Sequence, residues 1–190
     1  MVNRFSELHD NMSEEEIMQG LSTFLSDELR AEFLENCLRK KLADSVKKNV
    51  HMLLAQIYER KRWYGNAVRN VSAALSCTDV YREKIALSMK LGHLNILDDK
   101  HVLARDAFKL AMDLSNTGEK KKIGGEIKGV YMNTARSFEA KNKFAKAVSI
   151  YEYALDLLGD AEKRDVKQKL AVLYEKLGRI TDSMRMKKEI

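Results

Sequence analysis

The sequence contains no proline, and only nine glycines in 190 residues. Long stretches therefore lack the two residues that most often end or weaken helices. Two cysteines, Cys37 and Cys77, stand alone and read as small buried hydrophobes in a reducing compartment. The four histidines, His9, His51, His93 and His101, form no H-x3-H pair and no Cys/His cluster, which argues against a metal site. No apolar run reaches the roughly 18 residues a membrane span needs. The opening MVNRFSELHDNMSEEE lacks a basic-then-apolar signal layout, so a cytoplasmic location is the default expectation. Nucleophile elbows, P-loops and paired catalytic acids are missing too. IGG at 123–125 lacks the preceding strand and the G-K-[ST] ending of a phosphate cradle, and reads as a flexible connector. Neither enzyme activity nor a cofactor is expected.

Charge is plentiful but unevenly spread. Residues 1–35 hold two basic and nine acidic side chains, a net of −7, so the remainder carries +13 of the chain's overall +6. A basic body with an acidic leader fits either a lysine-rich solvated helical surface or an anionic partner, nucleic acid included. Basic clusters fall at 39–41, 47–48, 60–62, 120–122, 141–146 and 185–188, and Trp63-Tyr64 follow the third. Aromatics beside cations can stack on bases. These clusters sit at turns and edges, so at most a weak, salt-sensitive, sequence-blind RNA association is expected.

The composition leans to helix, and the apolar residues repeat. Ala147, Tyr151 and Ala154 are spaced i, i+4, i+7 on one helical face, and Tyr131, Ala135 and Phe138 form a stripe upstream. A short polar KNK separates them, so the two helices fold back antiparallel. The layout recurs: Leu54, Ala55, Tyr58 precede Ala67, Val71, Ala74, and Leu91, Gly92 precede Ala104, Phe108, Ala111. Leu170, Ala171 and Tyr174 precede Ser183, Lys187 and Ile190. Each small residue, Ala55, Gly92, Ala135 or Ala171, is followed twelve positions later by Ala67, Ala104, Ala147 or Ser183. Small residues at a crossing let backbones approach while bulky neighbours fill the sides. Tyr64, His101, Phe144 and Ile180 are expected to begin the second helices and plug the hairpin ends. Two residues earlier stand Arg62, Asp99, Asn142 and Gly178; the last three suit a left-handed helix cap and Arg62 does not.

This pattern resembles the tetratricopeptide repeat, W-x2-L-G-x2-Y followed by Ala, an aromatic, Ala and Pro. Leu91-Gly92 match literally; Tyr58, Phe138 and Tyr174 occupy the tyrosine position, and Tyr131 the tryptophan position. The closing proline is absent, with Asp79 and Gly159 standing there instead. Repeats at 48–81, 85–118, 128–161 and 164–190 start 37, 43 and 36 residues apart, with the excess placed in connections such as SNTGEKKKIGGE at 115–126. Residues 13–45 read as a divergent fifth hairpin and N-terminal cap, opened by the capping box SEEE at 13–16 and short of small residues apart from Ala31. Asp44-Ser45 would cap the next helix, and residues 1–12 would form a flexible tail ahead of a single domain at 13–190. The resemblance implies an all-α fold, a right-handed α-solenoid of stacked antiparallel hairpins.

It also implies a concave wall made by the first helices. The fifth positions hold Met52, Met89, Met132 and Gln168; the ninth hold Gln56, His93, Arg136 and Val172. Methionine is flexible and polarizable, and suits a groove that accepts varied apolar side chains. Met52, Met89 and Met132, bordered by Gln56, His93, Asn133 and Arg136, are therefore the candidate site for a peptide or amphipathic helix of a protein partner. The alternative is that the methionines seal the packing between neighbouring first helices. Some family members clamp a C-terminal carboxylate; here the clamp slots hold Met52, Gln56, Lys90, Gly129 and Asn133, so that role is disfavoured. Others are receptors for short signalling peptides, and Asn49, Asn95 and Asn133 on first helices are compatible with that. Met184 and Met186 leave self-association through the C-terminal helix open, and the acidic first hairpin could compete for a basic groove.

Overall fold

A computed structural model describes residues 8–190, which form ten α-helices and no strand among the described residues. They follow one another as α1 Glu14–Ser22, α2 Asp27–Leu38, α3 Asp44–Arg60, α4 Tyr64–Ser76 and α5 Tyr81–Leu97. Then come α6 His101–Leu114, α7 Thr117–Ala140, α8 Phe144–Ala154, a 3-10 turn Leu155–Leu157, α9 Asp160–Lys176 and α10 Ile180–Lys188. The fold is an all-α array of helix hairpins, as the spacing predicts. Second helices begin at Tyr64, His101, Phe144 and Ile180, the four residues singled out by the repeat. His101 is buried and Tyr64 and Phe144 are half-buried, whereas Ile180 is 50% exposed.

The hairpin turns share one geometry. Arg62, Asp99, Asn142 and Gly178 all take the left-handed conformation, at φ 59°, 58°, 55° and 73°. Arg62 is thus a correction: the turn imposes the conformation on a residue that does not favour it. Trp63 N–H donates to the Tyr58 carbonyl at 2.8 Å, Lys143 to Phe138 at 2.9 Å and Arg179 to Tyr174 at 2.8 Å. One residue earlier, Arg62, Asn142 and Gly178 donate to the carbonyls of Glu59, Glu139 and Glu175, each at 2.9 Å. This paired set closes the last turn of each first helix and satisfies carbonyls it would otherwise leave bare.

The described chain divides into two compact units: residues up to Asp98 with Leu103–Leu114, and Asp99–Val102 with Ser115–Ile190. In the first, Ala55, Ala67 and Ala74 are fully buried between α3 and α4, and Gly92 lies against Phe108 where α5 crosses α6. The divergent hairpin uses the same device: a methyl group at Gly20 of α1 would sit 2.5 Å from Phe33 Cζ of α2. Gly20 thus joins Ala31, itself buried on α2, as a small residue of this hairpin. Ser13 and Glu16 form the expected capping box at the start of α1. At α3, by contrast, Ala43 is the N-cap without a side-chain bond, and Asp44 instead sits in the first turn, 3.1 Å from Lys47 Nζ.

Of the expected N-terminal tail, residues 1–7 lie outside the described residues. The remainder is tied down: Met12 is buried, Asn11 N–H donates to the Lys41 carbonyl at 2.6 Å, and Lys41 N–H donates to Asp10 Oδ1 at 2.9 Å.

In the second unit Ala135, Ala147 and Ala154 are fully buried where α7 meets α8, and Ala171 and Ser183 almost so where α9 meets α10. The stretch 115–126 is a correction: only Ser115 and Asn116 connect, and residues 117–126 form the first turns of the 24-residue α7. Asn116 and Glu119 cap that helix reciprocally, and Ile123 and Ile127 bury one face, which outweighs the glycine pair at 124–125.

Candidate functional site

The candidate residues fall in both units. Met52 and Gln56 lie on α3, Met89 and His93 on α5, and Met132, Asn133 and Arg136 on α7. All three methionines are half-buried, Gln56, Asn133 and Arg136 are exposed, and His93 is half-buried. Met52 also packs against the apolar core of its unit.

In the first unit, α3 and α5 are stitched together by two ion pairs one repeat apart, Lys48 to Glu83 at 2.7 Å and Lys90 to Glu59 at 2.6 Å. Met52 and Gln56 share one face of α3, and Met89 and His93 the corresponding face of α5. His93 is held below the ordinary histidine range, first by burial and then by the charge of Lys90, against an opposing pull from Glu59. It is a neutral polar group at neutral pH, able to donate from one ring nitrogen and accept at the other.

In the second unit, Lys128 reaches from α7 to Glu162 of α9 at 2.8 Å. Arg136 stands close enough to Tyr151 for its charge to favour the phenolate, though burial and Glu139 together push that hydroxyl up to about 12.

Two of the three asparagines, Asn49 and Asn95, are engaged within the chain. Asn49 donates to Glu14 of α1 at 2.7 Å. Asn95 is 2% exposed, donates to the Leu91 carbonyl at 3.0 Å, and its Oδ1 has no partner. Asn95 occupies the slot that Tyr58, Phe138 and Tyr174 hold in the other hairpins, and that slot faces the interior; Asn95 therefore lines no wall.

The basic run at 60–62 is largely engaged within the chain. Arg60 pairs with Asp27 at 2.7 Å, Lys61 pairs with Glu28, and Lys61 Nζ lies 5.0 Å from the ring centre of Trp63. On α10, Lys187 pairs with Glu175 at 2.6 Å and Met186 is buried, leaving Met184 as the exposed methionine. Burial pushes the Cys37 thiol up to about 11, and Cys77 is also raised by burial, so both stay protonated. Among the described residues no group of three His, Cys, Asp or Glu is gathered to hold a metal ion, and no helix is long and apolar enough to cross a membrane.

Sequence reasoning missed the tyrosine–glutamate contacts. Tyr58 of α3 donates to Glu35 of α2, Tyr174 of α9 to Glu152 of α8, and Tyr151 of α8 to Glu139 of α7 at 3.0 Å. Tyr58 and Tyr174 each tie a first helix to the second helix of the preceding hairpin. The signal was present as a glutamate 22 or 23 residues ahead of each repeat tyrosine.

These features define a class, a helical-hairpin array whose first helices are laterally cross-linked. No family model matches the chain, and no curated protein matches it. Among solved structures it is similar to BtubC (BKLC) from P. vanneervenii, at 16% identity and a TM-score of 0.39, over 97% of this chain and 70% of that one.

Proposed function

We propose that the protein is a non-enzymatic adaptor of the tetratricopeptide-repeat kind, which holds an apolar peptide or amphipathic helix of a partner protein against its first helices. The observation that supports this best is the pair Met52 and Met89. They lie at equivalent positions on α3 and α5, half-buried, on two helices joined by the Lys48–Glu83 and Lys90–Glu59 ion pairs. Such a wall is rigid in its backbone and adaptable in its side chains, the combination that suits an apolar helix face. Exposed Gln56 and half-buried, neutral His93 border it and supply hydrogen bonds that fix the guest's register. Met132, Asn133 and Arg136 hold the equivalent positions on α7 of the second unit.

Selection of binding peptides from a random display library, followed by affinity measurement, tests the reading. Selected sequences carry apolar residues at i, i+3 or i+4 and i+7. Met89→Glu weakens their binding at least tenfold while helicity and melting temperature stay near wild type. A cooperative loss of fold in Met89→Glu, or binders indifferent to it, overturns the reading. Polyanion binding is the lesser alternative, because Arg60 and Lys61 are already neutralised by Asp27 and Glu28.

A further inference from the structure

A cleft of about 220 Å3 opens in the first unit between α2, the end of α3 and the turn that follows. Its volume lies below the roughly 300 Å3 at which small-molecule pockets begin, so it suits one side chain rather than a cofactor. One wall is acidic. Glu28, Glu32 and Glu35 are spaced i, i+4, i+7 along α2 and share a face, with the small Ala31 beside them. The other wall is aromatic. Trp63, the chain's one tryptophan, is 54% exposed. It is nevertheless fixed: its ring stacks on Tyr58 at 6.0 Å and 22°, and the Tyr58 hydroxyl is anchored on Glu35. A large exposed indole held rigid beside carboxylates is a surface made to receive a cation.

The protein itself demonstrates that chemistry. Lys61 places its ammonium 5.0 Å from the Trp63 ring centre while pairing with Glu28. This contact uses up one carboxylate. Glu32 remains exposed, and its carboxylate has no partner among the described residues. The cleft therefore keeps a part-exposed indole and, with Asp27 paired to Arg60 and Glu35 to Tyr58, one exposed acid, Glu32.

We propose that this cleft captures an arginine side chain of a basic peptide segment on a partner protein, at a site separate from the methionine wall. The planar guanidinium lies over Trp63 and directs its fork of N–H donors at Glu32. Arginine is favoured over lysine because it stacks on an aromatic face, engages a carboxylate with two donors and sheds water more readily. Because Asp27 and Glu28 are already paired with Arg60 and Lys61, the attraction comes from Glu32, and the contact weakens as salt rises.

The single tryptophan makes the test direct. Full-length protein is titrated with a short arginine-rich peptide, its lysine-substituted counterpart and a glutamate-containing control, with intrinsic tryptophan emission as one readout and calorimetry as the other. The arginine peptide gives a saturable change in emission, binds several-fold more tightly than the lysine peptide, and weakens as salt rises. Glu32→Gln, on the exposed face of α2, lowers affinity at least threefold at an unchanged melting temperature. Trp63→Ala lowers calorimetric affinity about tenfold, the scale of a partly desolvated cation–π contact. Met89→Glu leaves this binding unchanged, which separates it from the adaptor reading. Absence of saturable binding, equal affinity for the lysine peptide, or a Glu32→Gln variant that binds as wild type overturns the proposal.

Discussion

Gly92 of α5 faces the ring of Phe108 of α6 so closely that a methyl group on Gly92 would lie 2.4 Å from Cε1 and 2.6 Å from Cδ1 and Cζ. The ring is 3% exposed and has no open side to turn toward. Gly92→Ala therefore gains helix propensity of about 1 kcal/mol but meets an overpacking cost of about 1–3 kcal/mol. Net destabilisation of up to about 2 kcal/mol in urea unfolding is expected. Gly125→Ala is the control, because nothing lies within 4 Å of a methyl group there; it stabilises by up to about 1 kcal/mol.

Arg62 adopts a conformation that costs an ordinary L-residue about 1 kcal/mol or more. Arg62→Gly removes that cost but frees the unfolded chain as well. The balance favours the variant by about 0.5 kcal/mol, seen as a higher urea midpoint at unchanged slope. Asn142→Gly, at φ 55°, gains less, since asparagine already tolerates this region.

Ser88 is fully buried on α5 and its hydroxyl has no partner. A buried, unsatisfied polar group costs about 1–3 kcal/mol. Ser88→Ala removes it with little change of volume and is expected to raise stability by about 1 kcal/mol, read as a melting-temperature increase of roughly 2–4 °C.

Tyr58, Tyr151 and Tyr174 are all pushed up to about 12, first by burial and then by the glutamate each one contacts. The folded state then holds protons that the unfolded state has released. Their contribution to stability is whole below the unfolded value near 10 and is lost as pH rises from 10 toward 12. Helicity followed against pH should show an alkaline transition that moves to higher pH when Tyr58 and Tyr174 are both replaced by phenylalanine. Those replacements lower stability at neutral pH by about 1 kcal/mol each, because the glutamate contacts are lost.

The hairpins were legible because two sequence features carry independent physical demands. The twelve-residue offset marks where backbones must approach, and Tyr64, His101, Phe144 and Ile180 mark where chain direction reverses. The start of α7 was misread because lysines and paired glycines suit a loop on composition alone. The countervailing signals were the Asn116–Glu119 box and the i, i+4, i+8 stripe of Ile123, Ile127 and Tyr131. Asn95 was misplaced for a different reason. Its slot faces inward, as Tyr58 and Tyr174 show, and a polar residue there invites an outward reading. Glu32 and Trp63 escaped notice as a pair because they are 31 positions apart and lie on different elements.

Gly124 and Gly125 stand two turns into α7, with open space beside both. Each loosens the backbone there, so these turns depend on the Asn116–Glu119 box and on the buried Ile123 and Ile127. Amide protons from about 118 to 126 are thus expected to swap with deuterium much sooner than those around Ala135, so the leading end of this 24-residue helix frays while its trailing half stays closed.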